Sequence, residues 1–300
     1  MRKIATYKNG NVLTTIYNDG TKRHLTMDDE FKFAFPECHD IMISERCDNG
    51  CPECYANCTK DGKFGELDGW NFFDTMRPYT EIAINLQSPL HPRLMPFLEA
   101  MKRRKIIVNA TVNQNHYMED SFGAFVDYLI KEGYITGLGI SLTDPTQEGF
   151  IDAVKNYKNA VIHVIAGYTP IEDIKYLIGH GLKLLILGYK VKGRGADYYS
   201  KYPTYIRENI KLLADDIDTI RNGFKVVSFD NLAIAQLDIK NKISDDEWEM
   251  IYGGEEGTLT FFIDLVNNRF AKSSLSDVYY PIGDKTIDEM FEVVRNEGGF

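Results

Sequence analysis

The sequence predicts an α/β chain: a partial parallel barrel of the (β/α)6 TIM type, with a small amino-terminal β-meander and a carboxyl-terminal α+β extension. Three observations predict it. Short, almost uninterrupted apolar runs recur through the middle of the chain, as strands covered on both faces require. Amphipathic stretches of helical period separate them, and that alternation demands right-handed crossovers and mostly parallel pairing. Six such units followed by a further strand favour a barrel over an open doubly wound sheet. The length of 300 residues, 44% apolar, supports one large core.

Residues 1–36 hold β-rich runs separated by Asn9-Gly10 and Asp19-Gly20, dipeptides suited to tight turns with positive φ, and are expected to form the meander. Residues 37–230 are expected to form the barrel. Its strands are "DIMIS" (40–44), "EIAINL" (81–86), "KIIVNATV" (105–112), "GLGISL" (137–142), "AVIHVIAG" (160–167), "LKLLILGY" (182–189) and "FKVVSF" (224–229). Helices are expected over 91–104, 118–133, 146–158, 169–181 and 203–223. The basic run 102–105 closes the first of these and compensates the helix dipole. Residues 231–300 break the rhythm. They predict a helix, a hairpin across residues 266–268 and a last amphipathic helix from about 286, which either complete the barrel or lie across it.

No run approaches the roughly 18 apolar residues of a membrane span, and the start "MRKIATYKNGNVLTT" is too polar for a secretory signal. A cytoplasmic protein is expected. The net charge of −10 argues against broad binding to duplex nucleic acid, and a small molecule, nucleotide or peptide fits better as substrate.

Four of the five cysteines lie within "CDNGCPECYANC", residues 47–58. In a reducing compartment closely spaced cysteines more often bind metal or do chemistry than form disulfides. Cys47, Cys51 and Cys54 are spaced C-x3-C-x2-C directly after the first barrel strand, and soft sulfur ligands select iron–sulfur clusters or zinc. Structural zinc usually ties two separated ligand pairs together, whereas these thiols share one loop. Three thiolates on a four-iron cluster leave one iron open to another ligand. A zinc-binding cysteine module acting as a binding protein stands as the alternative.

This spacing, at this place in a strand–helix series, resembles the radical S-adenosylmethionine (SAM) superfamily. The resemblance implies that Cys47, Cys51 and Cys54 hold a [4Fe-4S] cluster and that SAM chelates its open iron. An electron from an external donor such as flavodoxin or ferredoxin then cleaves SAM to methionine and a 5′-deoxyadenosyl radical, which abstracts hydrogen from the substrate. Stretches such as "SPLHP", "VNATVNQNHY", "LILGYKVKGRG" and "IDLVNNRFAKSS" are further similar to a phage and prophage group of that superfamily, which supplies no substrate.

The resemblance also implies a set of cofactor contacts at the strand ends. Glu53 stands where the superfamily commonly has an aromatic, and Tyr55 follows one place late. Asn85, Leu86, Gln87 and Ser88 before Pro89 stand at the Gly-Gly-Glu-Pro-like strand-two stretch, with the proline but without its glycines and glutamate; a degenerate, non-catalytic relative is the corresponding alternative. Asn109, Thr111 and Asn113 alternate onto one face of strand three. Ser141 and Asp144 end strand four, where ribose or carboxylate contacts lie, although Asp144 also suits an Asp-Pro turn with Thr146 as a helix cap. Gly167 would let adenine approach the backbone, and Lys190, Lys192 and Arg194 would form an anion site. His163 reads as a core or lumen residue, Cys38 as structural, and Cys58 as helix-borne and outside the ligand set. Substrate contacts are expected from Asp230, Asn231 and the carboxyl-terminal segment, with Tyr252 and "GGEEG" (253–257) as a lid. That segment contains no cysteine, which excludes an auxiliary cluster there.

Overall fold

The computed structural model describes residues 1–297; the last three residues of the expected extension lie outside the described residues. Strands β1 (Lys3–Asn9), β2 (Val12–Tyr17) and β3 (Lys22–Leu25) form the antiparallel meander. Its first turn needs glycine twice over. Gly10 has a φ of +64°, and a Cβ there would collide with the carbonyl of Lys32.

Seven strands then pair in chain order, each parallel to the last: β4 (Cys38–Met42), β5 (Glu81–Asn85), β6 (Ile107–Asn113), β7 (Gly137–Ser141), β8 (Ala160–Ile165), β9 (Lys183–Leu187) and β10 (Val226–Phe229). All seven expected barrel strands are present. The carboxyl-terminal segment does not close the barrel. Strand β11 (Thr260–Asp264) pairs parallel with β4, and β12 (Arg269–Ala271) and β13 (Tyr280–Pro281) follow antiparallel. The free edge of β4 offers unpaired backbone groups, and β11 satisfies them. Since β10 and β13 are the two ends of the ten-stranded sheet, the barrel stays open on one side.

The helices fall between the strands as their apolar periodicity requires. Leu94, Phe97, Leu98 and Met101 bury one stripe of the helix Leu94–Arg103, whose last turn carries Lys102 and Arg103. The long helix expected over 203–223 divides at Asp216 into Pro203–Asp215 and Ile217–Gly223, and a helix not foreseen, Arg194–Lys201, follows β9. Among the described residues no helix is long and apolar enough to cross a membrane.

Strand alternation gives the sheet two characters. Ile82, Ile84, Val108, Val112, Leu138, Ile140, Ile162, Val164, Leu184 and Ile186 are buried on the face that meets the helices. The opposite face carries Asp40, Asn85, Asn109, Thr111, Asn113, Ser141 and His163 into the barrel interior. His163 is thus a lumen residue, kept neutral by burial that lowers its pKa to about 4. Its ring lies over the neighbouring strand at Gly139, where any Cβ would collide with it.

The meander seals the amino end of the barrel. Asn18 and Asp19 accept through their carbonyls from Asn159 Nδ2 at 3.0 Å and Lys183 Nζ at 3.2 Å. Lys22 Nζ stands 2.6 Å from Glu81 and 3.6 Å from Glu37. The Glu37 carboxylate is buried and accepts from Asn9 Nδ2 (3.1 Å), Thr14 Oγ1 (2.7 Å) and His24 Nε2 (2.8 Å). Burial alone would raise its pKa, but the His24 hydrogen bond, the Lys22 charge and the remaining donors together hold it at about 2.

Because the folded pKa of Glu37 lies below its ordinary 4.5, the unfolded chain binds the extra proton. Its contribution, on the order of 3 kcal/mol, is therefore complete above about pH 5 and disappears as pH falls toward 2. Glu37→Gln should lower the unfolding free energy at pH 7 by about that amount and flatten the acid limb; denaturant titrations at pH 7 and pH 3 check both. Gly139→Ala should destabilise by about 1–3 kcal/mol through overpacking. The same substitution in a His163→Ala background should cost far less in thermal unfolding.

Candidate functional site

The chain leaves β4 at the carboxyl end of the barrel and makes an irregular excursion before the short helix Asn71–Thr75. Bridges between Ser44 and Phe64 and between Arg46 and Thr59 close its base. The Cys47 amide donates to Thr59 O at 2.8 Å, and Cys54 N to Cys51 O at 3.3 Å. A small lobe results, holding Cys47, Cys51 and Cys54 half-buried and Cys58 buried, all as free thiols. Turns, with Asn57 at a φ of +56°, replace the helix expected around Cys58.

The four sulfurs are close enough to perturb one another. Burial, reinforced by the Glu53 charge, pushes the Cys51 thiol up to about 11. Cys54 is lowered, first by a hydrogen bond from the Cys58 thiol and further by the Arg194 charge, and Cys58 is raised correspondingly. Cys58 is the buried member of the four.

Residues expected to touch a cofactor are largely engaged in holding this lobe. Arg194 donates from its backbone to Cys54 O (3.1 Å), from Nε to Cys51 O (2.9 Å) and from Nη1 to Cys58 O (2.6 Å). The flanking glycines fit the same approach: a Cβ on Gly193 would lie 2.5 Å from Tyr55 O, and one on Gly195 2.6 Å from Lys190 O in its own loop and 3.0 Å from Glu53 O in the lobe. Gln87 Nε2 donates to Ser44 O at 3.1 Å and Arg46 O at 3.0 Å, and stands 3.8 Å from Cys58 Sγ. Asn85 donates to Ser44 O at 2.9 Å and accepts from Ile43 N at 3.1 Å. Ser88 donates through Oγ to Asp48 at 3.0 Å and accepts from the Asp48 amide at 3.1 Å. The altered strand-two stretch is thus a set of side-chain clamps on the cysteine lobe.

A second group faces the lobe from β6. Asn113 Nδ2 lies 3.9 Å from Cys51 Sγ, and Asn49 Nδ2 lies 2.8 Å from the same sulfur. Asn115 Nδ2 donates to Asn49 Oδ1 at 3.0 Å. His116 meets Asp48 at 2.7 Å, and Cys47, Asp48 and His116 each bring one ligand atom within 4.8 Å of the others. Asn49, Asp48, Asn115 and His116 were not singled out by sequence. The two-residue alternation of "NATVNQN" was legible, but its continuation into the turn at residues 114–117 was not.

The remaining candidates divide by what holds them. Tyr55 lies beneath Lys190, whose Nζ is 4.1 Å from the ring centroid and donates to Ser274 Oγ at 2.8 Å. Lys192 donates to Ser274 O and Tyr279 Oη, both at 2.7 Å. The carboxyl-terminal segment therefore reaches both lysines. Ser141 faces the interior in register between Asn113 and His163. Gly167, at a φ of +86°, lies against the helix Pro203–Asp215, where a Cβ would come 2.9 Å from Ile206; that packing alone requires glycine.

Asp144 is tied to the Thr146 amide at 2.8 Å, and the following helix begins only at Phe150, so Thr146 is a turn residue and not a cap. Asp230 caps the helix Asn231–Gln236 and accepts from Gly188 N at 2.9 Å. Asn231 Nδ2 donates to Gly254 O at 3.3 Å, whereas Leu259 O accepts from Glu37 N at 2.9 Å. Residues 253–257, expected as a lid over the mouth, accordingly run toward the amino end of β4 along the open side of the barrel. Glu53 has one buried carboxylate oxygen without a partner and a raised pKa, mainly from burial.

Neither the protein-family profiles nor the sequences of curated proteins contain a match to this chain. The fold does match solved structures. Streptococcus suis SuiB bound to S-adenosylmethionine is similar with a TM-score of 0.55 at 16% identity, over 88% of this chain and 68% of that one. Native anSMEcpe with bound AdoMet is similar with a TM-score of 0.53 at 16% identity, over 87% of this chain and 82% of that one. At these identities the likeness establishes a shared architecture: an α/β fold on a mostly parallel, unclosed barrel sheet.

Proposed function

We propose that this chain is a radical SAM enzyme, with Cys47, Cys51 and Cys54 holding a [4Fe-4S] cluster and S-adenosylmethionine binding beside it at the carboxyl ends of the core strands. One observation carries this reading. Three free, half-buried thiols stand on a clamped loop directly after the first strand of a parallel barrel, with the fourth thiol, Cys58, buried on the same loop. That donor set fits the group, because soft thiolates suit iron–sulfur clusters and three of them leave one iron open. Two proteins of similar fold bound to S-adenosylmethionine add support. The likeness to the phage and prophage group is carried by sequence stretches alone.

When bound, the cluster supplies an electron, received from an external donor such as flavodoxin or ferredoxin, for cleavage of S-adenosylmethionine to a 5′-deoxyadenosyl radical that takes hydrogen from the substrate. The chain's own residues do the rest. Arg194, Asn85, Gln87 and Ser88 fix the cysteine lobe. Tyr55, Lys190, Asn113 and Ser141 offer polar contacts to the cofactor, and the amide and hydroxyl groups of the interior face receive a small molecule, nucleotide or peptide. The meander closes the far end and limits water there.

A mononuclear zinc site is the second reading, favoured by the proximity of Cys47, Asp48 and His116. Metal analysis after oxygen-free purification separates the two: one equivalent of zinc without iron would support it. Anaerobic reconstitution with iron and sulfide should give a four-iron absorbance, and reduction with S-adenosylmethionine present should give 5′-deoxyadenosine. Cys51→Ala should abolish that product, and its persistence would sink the radical mechanism.

Arg194→Ala removes two charge-assisted hydrogen bonds to the lobe, each contributing about 1.5–3 kcal/mol. Reconstituted variant should lose iron to a chelator at least about tenfold faster while retaining its far-ultraviolet dichroism. Arg194→Lys, lacking the planar fork, should recover only part of the retention. Wild-type retention in both variants would show that Arg194 is no clamp.

A further inference from the structure

We infer that Asn49, Asn113 and Asn115 form an amide cradle that raises the reduction potential of the cluster held at Cys51, an inference that rests on the functional reading above. Asn49 Nδ2 stands 2.8 Å and Asn113 Nδ2 3.9 Å from Cys51 Sγ. Neither amide is free to turn away. Asn113 Oδ1 accepts from Asn115 N at 2.8 Å as the cap of the turn Gln114–Tyr117, which leaves its nitrogen directed at the sulfur. Asn49 Oδ1 accepts from Asn115 Nδ2 at 3.0 Å, which fixes that side chain with its nitrogen toward the sulfur as well. The backbone N–H of Asn115 assigns oxygen and nitrogen in Asn113, and the Asn49 and Asn115 amides are assigned jointly by their pairing and by the Cys51 sulfur.

An N–H donor aimed at a ligating thiolate stabilises negative charge. The cluster gains one negative charge when it accepts one electron from the external donor, with no bond made or broken at the sulfur. Donors therefore favour the reduced form, and hydrogen bonds to the sulfurs are among the levers that set iron–sulfur potentials. Asn115 acts at one remove: it touches no sulfur and orients the group that does.

The test is a potentiometric titration of the reconstituted 300-residue chain, with dithionite as reductant and the reduced cluster followed by electron paramagnetic resonance. In Asn49→Ala the ratio of reduced to oxidised cluster at a fixed solution potential should fall about tenfold, a downward shift of about 59 mV for a one-electron couple. Asn115→Ala should shift in the same direction by less, because it frees Asn49 without removing a donor. Should Asn49→Ala fail to retain iron, Asn115→Ala decides alone. Wild-type potentials in iron-replete variants would overturn the cradle and leave the enzyme reading intact. A wild-type chain that takes up no four-iron cluster would overturn both.

Discussion

The carboxyl face of this barrel is organised by one guanidinium group. Arg194, at the start of the helix after β9, bonds to the carbonyls of Cys51 and Cys58 while its backbone amide takes that of Cys54. A lobe without regular secondary structure is thereby tied to the sheet. Gly193 and Gly195 exist in that register because the lobe's carbonyls lie where side chains would otherwise stand. From the opposite flank Asn85 and Gln87 fasten the start of the lobe to the end of β5. The thiols are thus aimed by two strands that are far apart in the sheet, and precise aiming is what a metal ligand set requires.

Seen from the amino end, the same barrel is closed by different means. Glu37, Lys22 and Glu81 make a buried charge network between meander and sheet. Such networks contribute little as isolated pairs but penalise strongly the loss of any one member. Polarity at the bottom therefore fixes the docking of an appendage, whereas polarity at the top fixes the cysteine loop.

Much of this was legible in the sequence. The seven strands announced themselves by continuous apolar runs, because parallel strands buried on both faces have no solvent side to mark. The placement of Cys47, Cys51 and Cys54 at the first strand end followed from spacing and rhythm. What could not be read was partnership across the chain. Arg194 and Lys190 looked alike as cations between glycines, yet one is bound to backbone carbonyls and the other lies over Tyr55. Asn85, Gln87 and Ser88 resembled a decayed motif, although their side chains reach a loop some forty residues earlier. The pairing of β11 with β4 was equally hidden, since strand order at an open edge is set by which backbone groups are left unpaired and not by local pattern.

The Arg194 contacts bridge sequence separations of 143 and 136 residues. During synthesis from the amino end, the cysteines leave the ribosome long before the arginine that fixes them, and domains gather their distant contacts only when the chain is long enough. A nascent chain halted before β9 holds all its thiols with only the Asn85, Gln87 and Ser88 side of the clamp in place. Completion of the cysteine lobe is therefore tied to completion of the sheet.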